Sequence, residues 1–298
     1  MARFGRVITA MVTPFADDGS LDIDGAVALA RWLVDQGNEG LVLAGTTGES
    51  PVLTDAEKIE LWRAVTEAVS VPIVAGSGSN DTAHSVQLTK EAEAAGVAGI
   101  LAVTPYYNRP SQAGVAAHFA AVADATSLPV MLYDIPVRTG RKIDTDTMLM
   151  LARSVDNIVA VKDASGNPAA SAALLADAPN GFELYSGDDG FTLPLLAIGA
   201  VGVIGVATHW AAAEHADMVT AFGKGDVDQA REVNARLVPS FAFETSDLTP
   251  NPLPAKAMLR VLGQPGGHCR LPNIEPPGID LEARAREILS GLGRTSHG

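Results

Sequence analysis

The sequence is poor in cysteine, in aromatic residues and in basic residues. Its 298 residues include one cysteine, Cys269, so no disulfide can form within the chain, and we expect a reducing compartment and a cytoplasmic protein. Lys and Arg number 21 against 35 Asp and Glu, which gives a formal net charge of −14. Because such a charge repels phosphates and anionic lipid, we expect neither nucleic acid nor membrane as a partner.

Targeting signals and uninterrupted hydrophobic runs are also scarce. The N-terminus has no sustained apolar stretch before Pro14, so we expect no signal peptide. Residues 191–213 carry no charged side chain over more than the length of a bilayer span. Pro194 and several glycines interrupt this stretch, which therefore predicts a short helix, a turn and a short buried strand rather than a membrane helix.

Most of the chain alternates between short apolar runs and amphipathic stretches. The amphipathic stretches predict helices, for example over residues 22–36, 54–69, 81–95 and 111–125. The apolar runs predict strands over residues 7–11, 40–43, 72–75, 99–103, 129–133, 158–162, 183–186 and 202–206. Such alternation indicates a parallel sheet, because parallel strands need crossover connections.

The number of these units favours one architecture. Eight strand–helix units match an α/β fold of the (β/α)8 TIM-barrel type in number and length, with a doubly wound sheet as the alternative. Beyond Gly225 the strands stop, and helices are predicted at residues 226–245, 251–263 and 279–292. We therefore predict a barrel over residues 1–224 that carries the active site, and a C-terminal helical appendage over residues 225–298.

Polar residues gather where the predicted strands end. The five segments concerned are "AGTTGES" (44–50), "TPYYNRP" (104–110), "YDIPVRTG" (133–140), Lys162 and "SGDD" (186–189). In a TIM barrel the carboxyl ends of all strands meet on one face, and the loops that follow them build the active site. The sequence therefore predicts a polar site at this face.

Lys162 ends an otherwise apolar strand, "IVAVK". The ordinary interpretation is a lysine whose stem is buried and whose ammonium reaches solvent. At the mouth of an apolar barrel, however, partial desolvation favours the neutral amine, which is the nucleophile that forms a Schiff base with a carbonyl. Lys162 is therefore our candidate nucleophile.

Other strand-end residues suit a small, carboxylate-bearing substrate. Tyr133 lies on the preceding strand at the same end and is either a capping aromatic or a proton shuttle. Thr46 and Thr47, between glycines, are turn residues or a site for a carboxylate. Arg138 is a surface arginine or a bidentate clamp for a second carboxylate.

Several other motifs are weak. "AGSGSN" (75–80) lacks the third glycine of a dinucleotide-binding loop. Asp188 and Asp189 are more typical of a helix N-cap than of a metal site. The six histidines include no H-E-x-x-H motif and no Cys/His cluster, so we expect no metal and no zinc-dependent chemistry.

In combination the motifs form a pattern that resembles the dihydrodipicolinate synthase family, within the pyruvate-dependent class I aldolases that include N-acetylneuraminate lyase. The resemblance runs nearly end to end. It rests on "TPF", "GTTGES", "TPYYNRPSQAG", "YDIPVRTG", "VKDASGN", "SGDD", "GAVGVIGV", "NPLPAKAML" and "CRLP". It implies condensation of pyruvate with L-aspartate 4-semialdehyde in lysine and diaminopimelate biosynthesis, through a covalent imine and without a separate cofactor.

The resemblance also implies catalytic roles. Lys162 would form the imine with pyruvate, and Tyr133 would donate and accept protons, linked to Thr46. Tyr107 would complete this relay from a partner subunit. At least a dimer, and by resemblance a homotetramer, would follow.

Binding roles are implied at four further positions. Thr47 would hold the pyruvate carboxylate, with Gly187 and Ile204 near the bound keto acid. Arg138 would engage the carboxylate of the semialdehyde. Tyr107 and Arg138 favour the synthase over a sugar-acid lyase.

Two alternatives stay open. One is a related pyruvate-dependent aldolase that takes a sugar acid or another aldehyde, which Asp134 and Gly205 would signal, because relatives often have Asn and Ser there. The other is a barrel that binds without catalysing.

Feedback inhibition by lysine is expected to be weak or absent. In lysine-inhibited relatives a glutamate and histidines surround the effector. His84 stands in place of the glutamate, and Asp55 and Lys58 in place of the histidines, although Asn80 and Tyr106 remain. His84 and Lys58 should repel a cationic effector.

Overall fold

The computed structural model describes residues 2–294, and in that part of the chain eight parallel strands close into a barrel. Each strand pairs with the next, and the last pairs with the first through Ile8 and Ile204. The strands are β1 (Val7–Ala10), β2 (Gly40–Leu43), β3 (Ile73–Gly76), β4 (Gly99–Val103), β5 (Val130–Asp134), β6 (Ile158–Asp163), β7 (Glu183–Ser186) and β8 (Gly202–Gly205). The predicted (β/α)8 barrel is confirmed, and the doubly wound alternative is wrong.

Helices cover the outside of this barrel. Those that follow β1 to β4 are α1 (Ile23–Asp35), α2 (Asp55–Ala68), α3 (Thr82–Ala94) and α4 (Gln112–Asp124). Those that follow β5 to β8 are α5 (Pro136–Thr139), α6 (Thr145–Ser154), α7 (Pro168–Asp177), α8 (Thr192–Leu196) and α9 (Thr208–Gly223). Helix α2 begins with a capping box, in which Thr54 and Glu57 satisfy each other's backbone N–H groups.

Side chains fill the barrel from end to end, so it is a packed core rather than a pore. The inward residues include Ile8, Val42, Leu101 and Met131, all buried. At the amino-terminal end Tyr185 Oη donates to Glu183 Oε2 at 2.7 Å and accepts from Phe4 N at 3.3 Å. These two hydrogen bonds fix the Tyr185 hydroxyl at that end of the barrel. A second apolar core lies between the strands and the helices.

Residues 191–213 form helix α8, strand β8 and the start of α9. The predicted short helix, turn and buried strand are confirmed. Across residues 2–294, no helix combines the length and the apolar character that a membrane crossing requires.

The C-terminal helices are α10 (Val227–Phe243), α11 (Leu253–Val261) and α12 (Leu281–Gly291). Helix α10 packs on α9, and α11 packs on both α12 and α9. Helix α11 is buried along most of its length, so this region is joined to the barrel through an apolar contact. The boundary at residue 224 stays a prediction.

Candidate active site

Lys162 and Tyr133 lie side by side at the carboxyl end of the barrel. They are direct register partners on β6 and β5. Side chains alternate along a strand, so Lys162 points inward like Ala160, two residues before it, and Tyr133 points inward like Met131. The Lys162 Nζ atom lies 4.5 Å from the centre of the Tyr133 ring.

The surroundings of Lys162 are unusual for a buried lysine. Only 5% of the residue is exposed, yet among residues 2–294 no carboxylate lies within 4.0 Å of its Nζ. The neighbouring carboxylate of Asp163 is already occupied, because it accepts from Ser165 N at 2.8 Å and from Ser171 Oγ. An amine held without a counter-ion in a largely apolar mouth is suited to attack a carbonyl carbon.

Gly187 leaves room for the stem of this lysine. It follows β7, and a Cβ atom there would lie 2.9 Å from Lys162 Cγ and 3.1 Å from Lys162 Cε. Any side chain at this position would push the lysine out of place. Ile204, the other residue predicted near the keto acid, is buried in the barrel interior on β8.

The segment 44–50 after β2 carries the predicted threonine pair. Ala44 and Glu49 both have positive φ angles, +52° and +55°, which is uncommon for residues other than glycine. Thr47 is buried, and its Oγ1 accepts from Asn251 Nδ2 at 2.9 Å. The strained turn is therefore held by contacts from outside the barrel loops.

Most of these contacts come from the C-terminal region, which sequence reasoning did not assign to the site. Glu49 Oε1 lies 2.7 Å from Lys256 Nζ in an ion pair whose side chains are each 1% exposed. Glu49 Oε2 accepts from Arg270 N at 3.0 Å. The Lys256 ammonium also donates to His268 O at 2.8 Å and lies 4.4 Å from the Phe15 ring centre. These side chains fix the loop of Thr46 and Thr47.

A cavity of about 210 Å³ opens at this face. Three of the predicted site residues line it: Thr46, Tyr133 and Arg138. The other lining residues include Gly45, Ser50, Gly78, Val103, Tyr106 and Thr139. Lys162, Thr47, Gly187 and Ile204 are not part of its wall, and Lys162 borders it through Tyr133.

Tyr107 does not join the other predicted residues. Its side chain is 90% exposed, and its φ angle is +72°. An aromatic residue held outward by a strained backbone points away from the cavity of its own chain.

Asp134, one of the two departures from the family pattern, has a charged partner. It ends β5, is fully buried, and accepts from Lys142 Nζ at 2.8 Å and from Ile143 N at 3.0 Å. Burial raises the pKa of the Asp134 carboxyl despite these contacts. The Asp134 carboxylate therefore binds the loop that contains Lys142 and Ile143 rather than a substrate.

The other departure, Gly205, also has a local cause. A Cβ atom at this position would collide with the Asp189 carboxylate, which accepts from Val206 N at 2.8 Å and lies 3.2 Å from His215 Nε2. The predicted N-cap is confirmed for Asp188, which accepts from Gly190 N, and is wrong for Asp189.

Asp189 belongs to a buried cluster with His215 and Glu244. Burial, followed by the repulsion of Asp189, raises the pKa of Glu244 well above its usual range. Among residues 2–294, no group of three or more His, Cys, Asp or Glu side chains is arranged to hold a metal ion.

Comparison with known proteins gives one family. The sequence profile of the Dihydrodipicolinate synthetase family matches residues 3–284. The chain is 53% identical to the 4-hydroxy-tetrahydrodipicolinate synthase of Acidothermus cellulolyticus over 298 residues, which cover 99% of this chain and 94% of that protein. It is 52% identical to the synthase of Moorella thermoacetica over 274 residues, or 91% and 93% of the two chains.

Solved structures agree with this. The enzyme of Cyanidioschyzon merolae, crystallised with lysine bound, superposes with a TM-score of 0.95 at 42% identity, covering 98% of this chain and 99% of that one. Dihydrodipicolinate synthase DapA-2 of Bacillus anthracis gives a TM-score of 0.92 at 40% identity, covering 97% and 99%.

Proposed function

Because the chain belongs to the dihydrodipicolinate synthetase family, we propose that it works as a 4-hydroxy-tetrahydrodipicolinate synthase, a lyase that condenses pyruvate with L-aspartate 4-semialdehyde. The observation that carries the proposal is the buried Lys162 amine, without a carboxylate partner within residues 2–294, beside the Tyr133 ring. The reaction belongs to the biosynthesis of diaminopimelate and lysine.

Lys162 supplies the covalent step. Its neutral amine attacks the keto carbon of pyruvate, and loss of water gives an imine. Loss of a proton from the pyruvate methyl group converts the imine into an enamine, whose carbon attacks the aldehyde. The amino group of the semialdehyde then attacks the imine carbon, which closes the ring and releases the Lys162 amine. No separate cofactor takes part.

Tyr133 moves the protons of these steps. It lines the cavity and lies against Lys162, so its hydroxyl can serve the carbinolamine as it forms and loses water. Thr46, which also lines the cavity, links Tyr133 to Tyr107 of a second subunit in this proposal. The outward side chain of Tyr107 supports this arrangement, since it cannot serve its own cavity.

Two carboxylates are bound at separate places. Thr47 and the backbone around it hold the pyruvate carboxylate, with Gly187 and Ile204 close to the bound keto acid. Arg138 lines the cavity and binds the semialdehyde carboxylate through its guanidinium.

The assembly proposed is a homotetramer, and at least a dimer, because the site needs a partner's tyrosine. The protein is proposed to be cytoplasmic and to bind neither nucleic acid nor membrane, in keeping with its net charge of −14. Pyruvate and aspartate semialdehyde are its small-molecule partners.

Steady-state kinetics with different aldehydes tests the proposal. With pyruvate present, we expect kcat/KM for aspartate semialdehyde to exceed that for an uncharged sugar aldehyde by about 10²-fold or more. Arg138→Leu should lower kcat/KM for the semialdehyde and leave that for the uncharged aldehyde unchanged. A preference for the sugar aldehyde would replace the synthase by a sugar-acid aldolase, and turnover of neither would leave a barrel that only binds.

A further inference from the structure

Asn251 reaches the active-site loop from the other end of the chain. It lies between α10 and α11, and its Nδ2 donates to Thr47 Oγ1 at 2.9 Å across 204 residues of sequence. Thr47 is 3% exposed, so this bond lies out of reach of bulk water. The contact is the direct link between the C-terminal region and a side chain proposed to bind substrate.

The chemistry of the two groups sets the direction of the bond. An amide NH2 can only donate, so Thr47 Oγ1 accepts with a lone pair and its own hydrogen stays free to donate elsewhere. A hydroxyl whose lone pair is already used is an oriented donor, which is what a carboxylate ligand requires. Asn251 thus prepares Thr47 to bind an anion.

This arrangement has a cost in stability. Asn251 Oδ1 is buried and has no hydrogen-bond partner among residues 2–294. A buried acceptor without a partner destabilises the folded state, and such groups in native proteins call for a functional reason. The hydrogen bond to Thr47 gives that reason here.

The residues that follow Asn251 contact the active-site loop at a second point. Helix α11 begins two residues later and carries Lys256, which is paired with Glu49 at the end of the same loop. Arg270 N binds the second oxygen of Glu49. The C-terminal region therefore contacts the loop at both Thr47 and Glu49. These contacts hold the Thr47 hydroxyl in a fixed direction.

We propose that Asn251 is a positioning residue for the keto-acid substrate, which acts by orienting the Thr47 hydroxyl towards the substrate carboxylate. The inference rests on the proposed function, in which Thr47 binds that carboxylate. It adds a residue from the C-terminal helical region to the machinery of substrate binding.

A double-mutant cycle tests the dependence on Thr47. We expect Asn251→Ala to raise KM for pyruvate about tenfold, with a smaller change in kcat. The reason is that the Thr47 hydroxyl is no longer oriented to donate to the pyruvate carboxylate. Thr47→Val should raise KM by at least as much. In the Thr47→Val background, Asn251→Ala should add no further increase, because residues that act through one another are not additive. Equal effects of Asn251→Ala in both backgrounds would overturn the proposal.

Asn251→Asp separates orientation from packing. The variant has the same shape, but its carboxylate accepts the Thr47 hydrogen and repels the substrate carboxylate, so KM should rise more than in Asn251→Ala. If Asn251 only filled space, Asn251→Asp would keep the native packing. If Thr47 donated to Asn251 Oδ1, Asn251→Asp would keep the native hydrogen bond. A KM for Asn251→Asp at or below that of Asn251→Ala would contradict the proposal.

Ser246→Ala is the matched control. Ser246 lies in the same connection, and its hydroxyl lies 2.8 Å from Thr249 Oγ1, whereas Thr47 Oγ1 is bonded to Asn251. It should lower the melting temperature of the protein without changing KM for pyruvate. A KM increase equal to that of Asn251→Ala would show a general loosening of the connection and would also overturn the proposal.

Failure of the proposed function would look different. In that case the wild-type protein itself would give no pyruvate adduct on borohydride reduction, before any variant is compared. A wild-type adduct together with additive variants would sink the role of Asn251 alone.

Discussion

Lys162 at the mouth of the barrel and Lys256 in helix α11 have closely similar surroundings with one difference. Both are buried, and their Nζ atoms lie 4.5 Å and 4.4 Å from the centre of an aromatic ring, that of Tyr133 and that of Phe15. Lys256 has the Glu49 carboxylate at 2.7 Å, whereas Lys162 has none within 4.0 Å in residues 2–294. Burial therefore does not distinguish Lys162 from Lys256, whereas the missing counter-ion does.

The difference has an energetic meaning. The ion pair with Glu49 ties the Lys256 ammonium to the active-site loop, although burial lowers the pKa of this lysine. The Lys162 amine has no carboxylate within 4.0 Å among residues 2–294, so no ion pair holds it away from a carbonyl carbon. One buried lysine stabilises the site, and the other is proposed to carry out its chemistry.

Removal of the mouth lysine should have the largest effect. Lys162→Ala should lower kcat/KM by on the order of 10³-fold or more, because no other group can form the imine. Its melting temperature should stay close to that of the wild type, since no buried partner is left unpaired. Retention of more than about a tenth of the wild-type rate would remove Lys162 from its proposed role.

Two tyrosines on the strands beside Lys162 sharpen the comparison. Tyr133→Phe should lower kcat by about 10²-fold, as expected for the loss of a proton shuttle. Tyr185 pairs with Lys162 in register, but its hydroxyl is bonded at the bottom of the barrel. Tyr185→Phe should therefore cost about 1 kcal/mol of stability and leave kcat unchanged. Equal losses of kcat in both variants would argue against a shuttle.

The structural lysine should show the opposite pattern. Lys256→Met should lower the free energy of unfolding by about 3 kcal/mol, because it leaves the Glu49 carboxylate buried without a counter-ion. Glu49→Gln combined with Lys256→Met should recover part of this loss. In urea unfolding, a change below about 0.5 kcal/mol for the single variant would show that the pair contributes little.

Lys142 is an intermediate case, half-buried and paired with the buried Asp134. The pKa of Asp134 is raised above 3.8, so folding favours its protonated form. Its contribution to stability is complete below the unfolded pKa and is lost as pH rises through the folded pKa. The stability of Asp134→Asn relative to wild type should therefore increase between about pH 3.5 and pH 7, by about 1 kcal/mol or less. A pH-independent difference in urea unfolding would contradict this.

The smallest effect is expected at the position of the effector site. Lys58 is buried, which lowers its pKa, and His84 Nε2 lies 2.9 Å from Asp55 Oδ2. The resemblance predicts that these groups stand where inhibited relatives bind lysine, and Asp55 is already paired with His84. We expect L-lysine to leave the rate unchanged. Inhibition at micromolar lysine would show that the site is intact.

Much of the fold could be predicted from local patterns. The apolar runs marked all eight strands of residues 2–294 to within one or two residues at either end, because parallel strands in a barrel are buried on both faces. Alternation along β6 also indicates that Lys162 points inward, since Ala160 does. Local sequence carries this information because each strand is a single short segment.

Contacts between distant segments could not be predicted in this way. Thr47 and Asn251 are 204 residues apart, and nothing in either segment indicates the other. For Lys256 the sequence contains one indication of burial. The lysine stands in the middle of the apolar helix segment "LPAKAML", which is unusual for an exposed lysine. The packing of the C-terminal helices against the loop decides these pairs, and only the folded chain brings them together.

Borohydride reduction in the presence of pyruvate, followed by peptide mass mapping, tests the central claim most directly. We predict a reduced pyruvyl adduct on Lys162, diminished when aspartate semialdehyde is added as competitor, and none on Lys256. An adduct on Lys256 in place of Lys162, or no adduct at all, would contradict the account.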